Sequence, residues 1–291
     1  MSTMKSDLLR NPRTVSSETR HNQVRFLLLI VVCLIFFSPL IYAISTALKD
    51  AAQVMTKPRA FFPTPLHPEN FLKVFENYAI ERYFVNTFIV VGMAVVGNLV
   101  TSSLAGYAFS RISWKGRDFV FTATVATMFM PLFLLLLPRF LIFREVALLG
   151  TLAPLFIPMM LGSPTSIFLL RQFLKAIPMD MSESAYIDGC SEFRIYRSII
   201  LPLTKPALVT VVIFTVQWRW NDFVGPLIYL QSEKLYTVTM GLYQVMGTSA
   251  EEVTTHMVMA FLLVSVAPVI AIFIAAQRFF VQGSMMSGLR G

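Results

Sequence analysis

Glu183-Ser184-Ala185-Tyr186-Ile187-Asp188-Gly189-Cys190-Ser191-Glu192-Phe193-Arg194-Ile195-Tyr196-Arg197-Ser198-Ile199-Ile200-Leu201-Pro202-Leu203-Thr204-Lys205-Pro206 is the longest polar interruption in the second half of a chain otherwise made of apolar runs. Pro178 stands just ahead of it and Pro202 near its end. Asp180 with Glu183 three residues on has capping-box spacing, which predicts a short helix. Gly189 supplies the left-handed residue that stops it. Ser191 is placed to cap a second helix, which Pro202 and Pro206 prevent from running on unbent. The expectation is two short helices with a glycine elbow, held between two hydrophobic spans.

The surroundings of that insert are those of a membrane protein. The 291 residues are 56% hydrophobic and only 14% charged, with a mean hydropathy of +0.67, whereas soluble domains carry about 25% charge. A soluble core of this size would still need a charged surface, so lipid must be the solvent for much of the outside. Six apolar runs, near 26–48, 83–109, 119–137, 152–170, 207–230 and 257–279, can each cross a bilayer of about 30 Å. They are continuous rather than alternating, which favours helices over a barrel. The fold class expected is an all-α membrane protein with six transmembrane helices. Residues 1–25 form a polar N-terminal segment, 26–291 the membrane domain, and 171–206 the polar insert. The run at 26–48 is longer than the apolar part of a signal peptide and is expected to stay as a span.

Charge sets the orientation. With the N-terminus inside, fifteen of the 24 Lys and Arg fall in inner segments. They cluster before the first span, at Arg111, Lys115 and Arg117, between Arg171 and Lys205, and at Arg278 and Arg290. Only seven of the 16 acidic residues share those segments, so the net +8 is cytoplasmic and so is the polar insert. A membrane-surface role accounts for the basic balance, and nucleic acid is not expected as a partner. Cys33 and Cys190 form neither a disulfide framework nor a zinc set, and His21, His67 and His256 lack partners at ligand spacing. No metal site is expected.

Along the chain, the long connection 49–82 carries Pro58, Pro63, Pro65 and Pro68 and is expected to fold on the outer face or pack against a partner. Gly92, Ala94, Gly97, Ser102, Ser103, Ala105 and Gly106 on the second span let helices approach closely, which places that span inside the bundle. Pro131, Pro138, Pro154, Pro158 and Pro164 predict kinks in the third and fourth. The fifth span holds Gln217-Trp218-Arg219-Trp220-Asn221-Asp222 inside an apolar helix, Arg219 lying roughly 20 Å beyond Pro206. Each charge there costs on the order of 2.5–3.5 kcal/mol to insert. Two readings stand side by side. Arg219 and Asp222 pair merely to anchor the helix, or Gln217, Trp218, Arg219, Trp220, Asn221 and Asp222 line a path for a solute. Sugars suit the second, since they bind by hydroxyl hydrogen bonds and apolar stacking.

The spacing of Glu183, Ala185, Asp188-Gly189, Ile199, Leu201-Pro202 and Pro206 resembles the cytoplasmic EAA loop of ABC importer permeases, with Ser184 and Cys190 where alanine is usual. Trp220-Asn221-Asp222-Phe223 with Pro226-Leu227, then Tyr236-Thr237, Gly241-Leu242, Pro268 and Gln277-Arg278-Phe279-Phe280, resemble the carbohydrate branch of that family, the maltose-type second permease. The resemblance covers nearly the whole chain from Phe26 onward and implies the type I importer permease fold. It implies that Glu183, Ala185, Asp188, Gly189, Leu201 and Pro202 form a coupling helix docking on an ATPase. It further implies a second related permease, two ATP-binding subunits and an extracytoplasmic solute-binding protein as partners, in a bacterial inner membrane. The chain has no Gly-x-x-x-x-Gly-Lys-Ser/Thr loop, so ATP and Mg belong on the partner subunits, and this chain is a non-catalytic permease with no cofactor of its own. The alternative is an ion-coupled secondary transporter, which typically shows repeated halves and midplane ionisable groups. No repeat is seen, and Asp222 is the one carboxylate within a span.

Overall fold

The computed structural model describes residues 12–247 and 255–288, except the side chains of 12–21, 276 and 278–288. The inner charges expected at Lys5, Arg10, Arg13, Arg20, Arg278 and Arg290 fall outside the described residues or side chains. Helix α1 (Pro12–Ala47) is followed by the short α2 (Ala51–Thr56) and α3 (Asn70–Asn77) and the long α4 (Ile80–Arg111). Next come α5 (Arg117–Ala126), α6 (Leu132–Glu145), α7 (Ala153–Met160), α8 (Pro164–Lys175) and α9 (Asp180–Ile187). The chain ends with α10 (Glu192–Ile195), α11 (Leu201–Leu203), α12 (Lys205–Trp220), α13 (Val224–Tyr229), α14 (Val238–Gly247) and α15 (Thr255–Gly288). No strand occurs among the described residues.

Four stretches are long and apolar enough to cross a bilayer: Asn22–Ala47, Ile80–Ser110, Ala153–Lys175 and Thr255–Ala275. The expected six are reached only if two bent pairs each count as one span. Proline chemistry explains the first departure. The run 119–137 bends by 103° between Arg117–Phe129 and Leu132–Glu145, where Pro131 drives Met130 to extended backbone, ψ 122°. The run 207–230 also departs, because α12 stops at Trp220 and α13 restarts at Val224. Asp222 therefore sits in a break, not inside a continuous helix. The helix of the fourth apolar run continues to Lys175, past the expected start of the polar insert at Arg171.

Helix α4 is the centre of the bundle, with α7, α8 and α12 packed around it. Its small residues make this possible. A Cβ on Gly97 would meet Met160 of α7, Cα included, at 2.6 Å, so only glycine admits that crossing. Asn98 is fully buried on α4 and uses all of its amide. It donates to Ser166 Oγ of α8 at 3.0 Å and Thr215 Oγ1 of α12 at 2.8 Å. It accepts from Ser102 Oγ at 2.7 Å and from the Ser163 N–H at 3.1 Å. One side chain thereby ties three helices together.

The connection after α1 folds back on its own chain. Asn70 donates to the carbonyls of Ala47 and Lys49 at 2.8 and 2.7 Å. Buried Lys49 donates to Pro58 O at 2.8 Å. Beneath, Ala47 and Val74 join a core with Ile80, Tyr83, Val238, Val245, Ala260 and Phe261. On its surface, His67 Nδ1 lies 2.7 Å from Glu69 Oε1 and its Nε2 3.6 Å from Asp50. The His67 hydrogen bond holds the Glu69 carboxyl below its usual range.

Candidate functional site

The polar insert begins with a helix whose cap differs from the sequence expectation. Asp180 is the first residue of α9, not its cap, and the cap residue, Met179, makes no side-chain bond to it. Asp180 and Glu183 instead lie in the first turn, where negative charge opposes the positive end of the helix dipole. The other end matches expectation. Gly189 has φ +76°, and its N–H donates to Tyr186 O at 3.0 Å while that of Cys190 donates to Ala185 O at 2.9 Å. Those paired bonds are a Schellman motif. Ser191 occupies the next cap position without a side-chain bond. The chain then passes through a π-helical turn, Tyr196–Ile200, and bends by 77° into α12 beside Pro202.

Glu183, Asp188, Gly189 and Pro202 are exposed, Leu201 is half-buried and Ala185 is buried. Ala185 packs inward, sharing a small core with Tyr107, Leu174, Ile195 and Ile200, against which Cys190 also rests. It holds the helix down; the outward face belongs to its neighbours. Ile187, 87% exposed, stands on that outward face. It was missed in the sequence because a single isoleucine beside Asp188 carries no periodic signal.

Arg111, the last residue of α4, was counted only as inner charge, yet it grips the α8–α9 turn. Its Nη2 donates to Leu174 O at 2.8 Å and Ile177 O at 2.6 Å. Its Nη1 reaches Pro178 O at 3.3 Å and Met179 Sδ at 2.9 Å. One turn earlier, the Tyr107 hydroxyl donates to Glu192 Oε2 at 2.6 Å and its ring meets that of Tyr196 edge-on. Thus α4 holds the insert at both of its helices.

The second group of candidates lies at the α12–α13 break. A cavity of about 210 Å³ opens between α6, α7, α12 and α13, and its wall includes Arg139, Leu155, Trp218, Arg219, Asp222 and Tyr229. Arg219 Nη1 donates to Leu155 O at 2.9 Å and to Asp222 Oδ2 at 3.1 Å. The pair is one-fifth exposed on each side. Asp222 Oδ1 also accepts the Gly225 N–H at 3.0 Å, satisfying an orphan donor in the first turn of α13. Of the six residues proposed to line a path, Trp218, Arg219 and Asp222 reach this cavity. Trp220 does not: it is buried against Val91 and Val216, with its ring beside those of Phe84 and Phe88. Gln217 and Asn221 are exposed, joined to each other by an Asn221 Nδ2 to Gln217 O bond. Helical phase separates neighbours that the sequence sets side by side.

No group of three His, Cys, Asp or Glu that could hold a metal occurs among the described residues. The profile of the family "binding-protein-dependent transport system inner membrane component" matches residues 97–284. An ABC transporter permease protein, ORF2 of Caldicellulosiruptor, is 32% identical over 91% of this chain and 96% of its own length. The chain belongs to this permease family. It is accordingly a non-catalytic subunit of a binding-protein-dependent importer, a multi-pass component of an inner membrane. The permease is also 28% identical to the arabinooligosaccharides transport system permease AraQ of Halalkalibacterium halodurans, over 87% of this chain and 91% of that one. Its fold superposes on a chain of a bacterial ABC transporter involved in import of the acidic polysaccharide alginate, with a TM-score of 0.79 and 23% identity, covering 91% of this chain and 98% of the other. That fold belongs to an ABC importer permease, and family membership does not favour the ion-coupled alternative.

Proposed function

We infer that this permease forms one half of the translocation path of an ATP-driven saccharide importer and that α9 is its coupling helix. The observation carrying the second part is a short helix with exposed Glu183, Ile187, Asp188 and Gly189, bound to α4 through Arg111 and backed by Ala185. An exposed isoleucine ringed by carboxylates fits a groove on another protein better than it fits water. Two ATP-binding subunits carry ATP and Mg, a second related permease completes the membrane path, and a solute-binding protein delivers the cargo. Orientation follows the Lys and Arg bias, with the N-terminus and α9 in the cytoplasm. Saccharide is the cargo class that AraQ supports, and Trp218 supplies a ring face for it. Closure of the ATPases would move α9, and α4 with it, switching the path between outward and inward openings. Asp222 is engaged by Arg219 and by the Gly225 amide, which leaves it poorly suited to carry a coupling proton.

The test is purification from a membrane with a tag on this chain, followed by reconstitution with the cognate binding protein. Expected are a co-purifying ATPase, ATP-dependent uptake of a saccharide, and loss of the ATPase on Ile187→Asp. A cysteine placed at Asp188 that reacts from the extracytoplasmic side, or uptake that follows an ion gradient without ATP, would sink the reading.

A further inference from the structure

The cavity wall between α6, α7, α12 and α13 carries a charge that no acidic residue among the described ones compensates. It holds two guanidinium groups, Arg139 and Arg219, against one carboxylate, Asp222. Both oxygens of Asp222 are occupied, one by Arg219 and one by the Gly225 amide. Arg139 has neither an acidic partner nor a hydrogen bond among the described residues, and it lies within electrostatic reach of Tyr229 on the same wall. An arginine placed in an apolar helix, beside a cavity and without a counter-ion, is expensive unless water or an anion meets it. Trp218, 56% exposed, stands on that wall as well. Its ring offers a sugar an apolar face to stack on. At about 210 Å³ the cavity is smaller than the roughly 300 Å³ of the smaller ligand pockets, enough for a charged group and part of a sugar ring.

We propose that this wall receives the anionic group of an acidic saccharide, a carboxylate or a phosphate, with Arg139 as its direct contact. Arg219, oriented by Asp222, is the second cation, and Trp218 the platform for the ring. The assignment rests on the importer reading and names the cargo class for that path. A neutral sugar would leave Arg139 unpaired throughout the passage; an acidic one pairs it in transit.

The complete importer is purified and treated with the arginine reagent phenylglyoxal, and labelling of Arg139 is followed by peptide mass spectrometry. Galacturonate, glucose 6-phosphate and galactose serve as competitors. Several-fold slower labelling with galacturonate identifies a carboxylate site, and with glucose 6-phosphate a phosphate site; galactose is expected to change nothing. Equal labelling with all three overturns the proposal. In reconstituted vesicles, with the cargo that the cognate binding protein selects from a saccharide panel, Arg139→Gln is expected to lower the maximal uptake rate about tenfold, as for loss of one charged hydrogen bond. Arg139→Lys is expected to keep most of it, and the ATPase is expected to co-purify with both variants. A neutral cargo, or equal loss with Lys and Gln, also overturns it while the importer stands. Failure of ATP-driven uptake for any saccharide removes the importer reading instead, and the labelling result then decides the anion site by itself.

Discussion

The two ends of α4 treat charge in opposite ways. At the α9 end the carboxylates of Glu183 and Asp188 face solvent, and the insert is secured from beneath by Arg111 and a small apolar core. In the other half of α4, where Val90 packs with Leu155 and Tyr229 of the cavity wall, the charges of Arg139, Arg219 and Asp222 surround a cavity. The first arrangement uses its own chain's hydrogen bonds to hold an exposed surface in place. The second leaves one cation, Arg139, without a partner among the described residues. Asn98, midway, ties α4 to α8 and α12 through hydrogen bonds between packed helices rather than through loops.

The sharpest way to break this contrast is Arg111→Ala, which removes the guanidinium's hydrogen bonds from the α4 terminus to the α8–α9 turn. ATP-driven uptake is expected to fall by about 100-fold, the equivalent of about 2.7 kcal/mol, with the α9 region newly cleaved by added protease. Uptake within a few-fold of normal would show that α4 does not carry the coupling. Next is Gly189→Val. Nothing lies within 4 Å of a Cβ there, so the penalty is backbone strain at φ +76°, about 1–2 kcal/mol, not a clash. Uptake is expected to drop about tenfold while ATP hydrolysis continues, and Gly189→Asn, which tolerates left-handed backbone, is expected to lose much less. If the two variants are equally impaired, strain is not the cause.

Asn98→Ala leaves buried hydroxyls of Ser166 and Thr215 without their donor. A loss of about 1–3 kcal/mol is expected, read as a thermal midpoint lowered by a few degrees with coupling ratio unchanged. A changed ratio of ATP hydrolysed to solute moved would make Asn98 part of the transmission itself. The smallest effect is at the connection after α1. Glu69, depressed in the fold by His67, adds stability above the ordinary carboxylate range that is lost as pH falls through its lower folded value. The difference in thermal midpoint between wild type and Glu69→Gln should therefore shrink with acidification, and a constant difference would remove the His67 bond as its source.

Much of the insert was legible in its residues. Gly189 ends α9 because glycine adopts the left-handed cap, and the prolines at 202 and 206 enforce the bend into α12. The capping box was misplaced by one residue, since Asp180 found a use in the first turn of the helix that no spacing rule distinguishes from a cap. At the cavity, the residues alone spread the expected path over six consecutive positions, of which Trp218, Arg219 and Asp222 reach the cavity wall. Backbone that stops at Trp220 sends Trp218 and Trp220 to different neighbours.

Composition, hydropathy, proline and glycine by themselves determined an all-helical membrane chain with a polar elbow, because solvent preference and backbone freedom act within a few residues of their source. The pairing of Arg111 with carbonyls more than sixty residues away, the three-helix tie at Asn98, the inward turn of Ala185 and the uncompensated Arg139 were decided only by tertiary structure. Each depends on which helix faces come together, and that is settled by packing across the whole bundle.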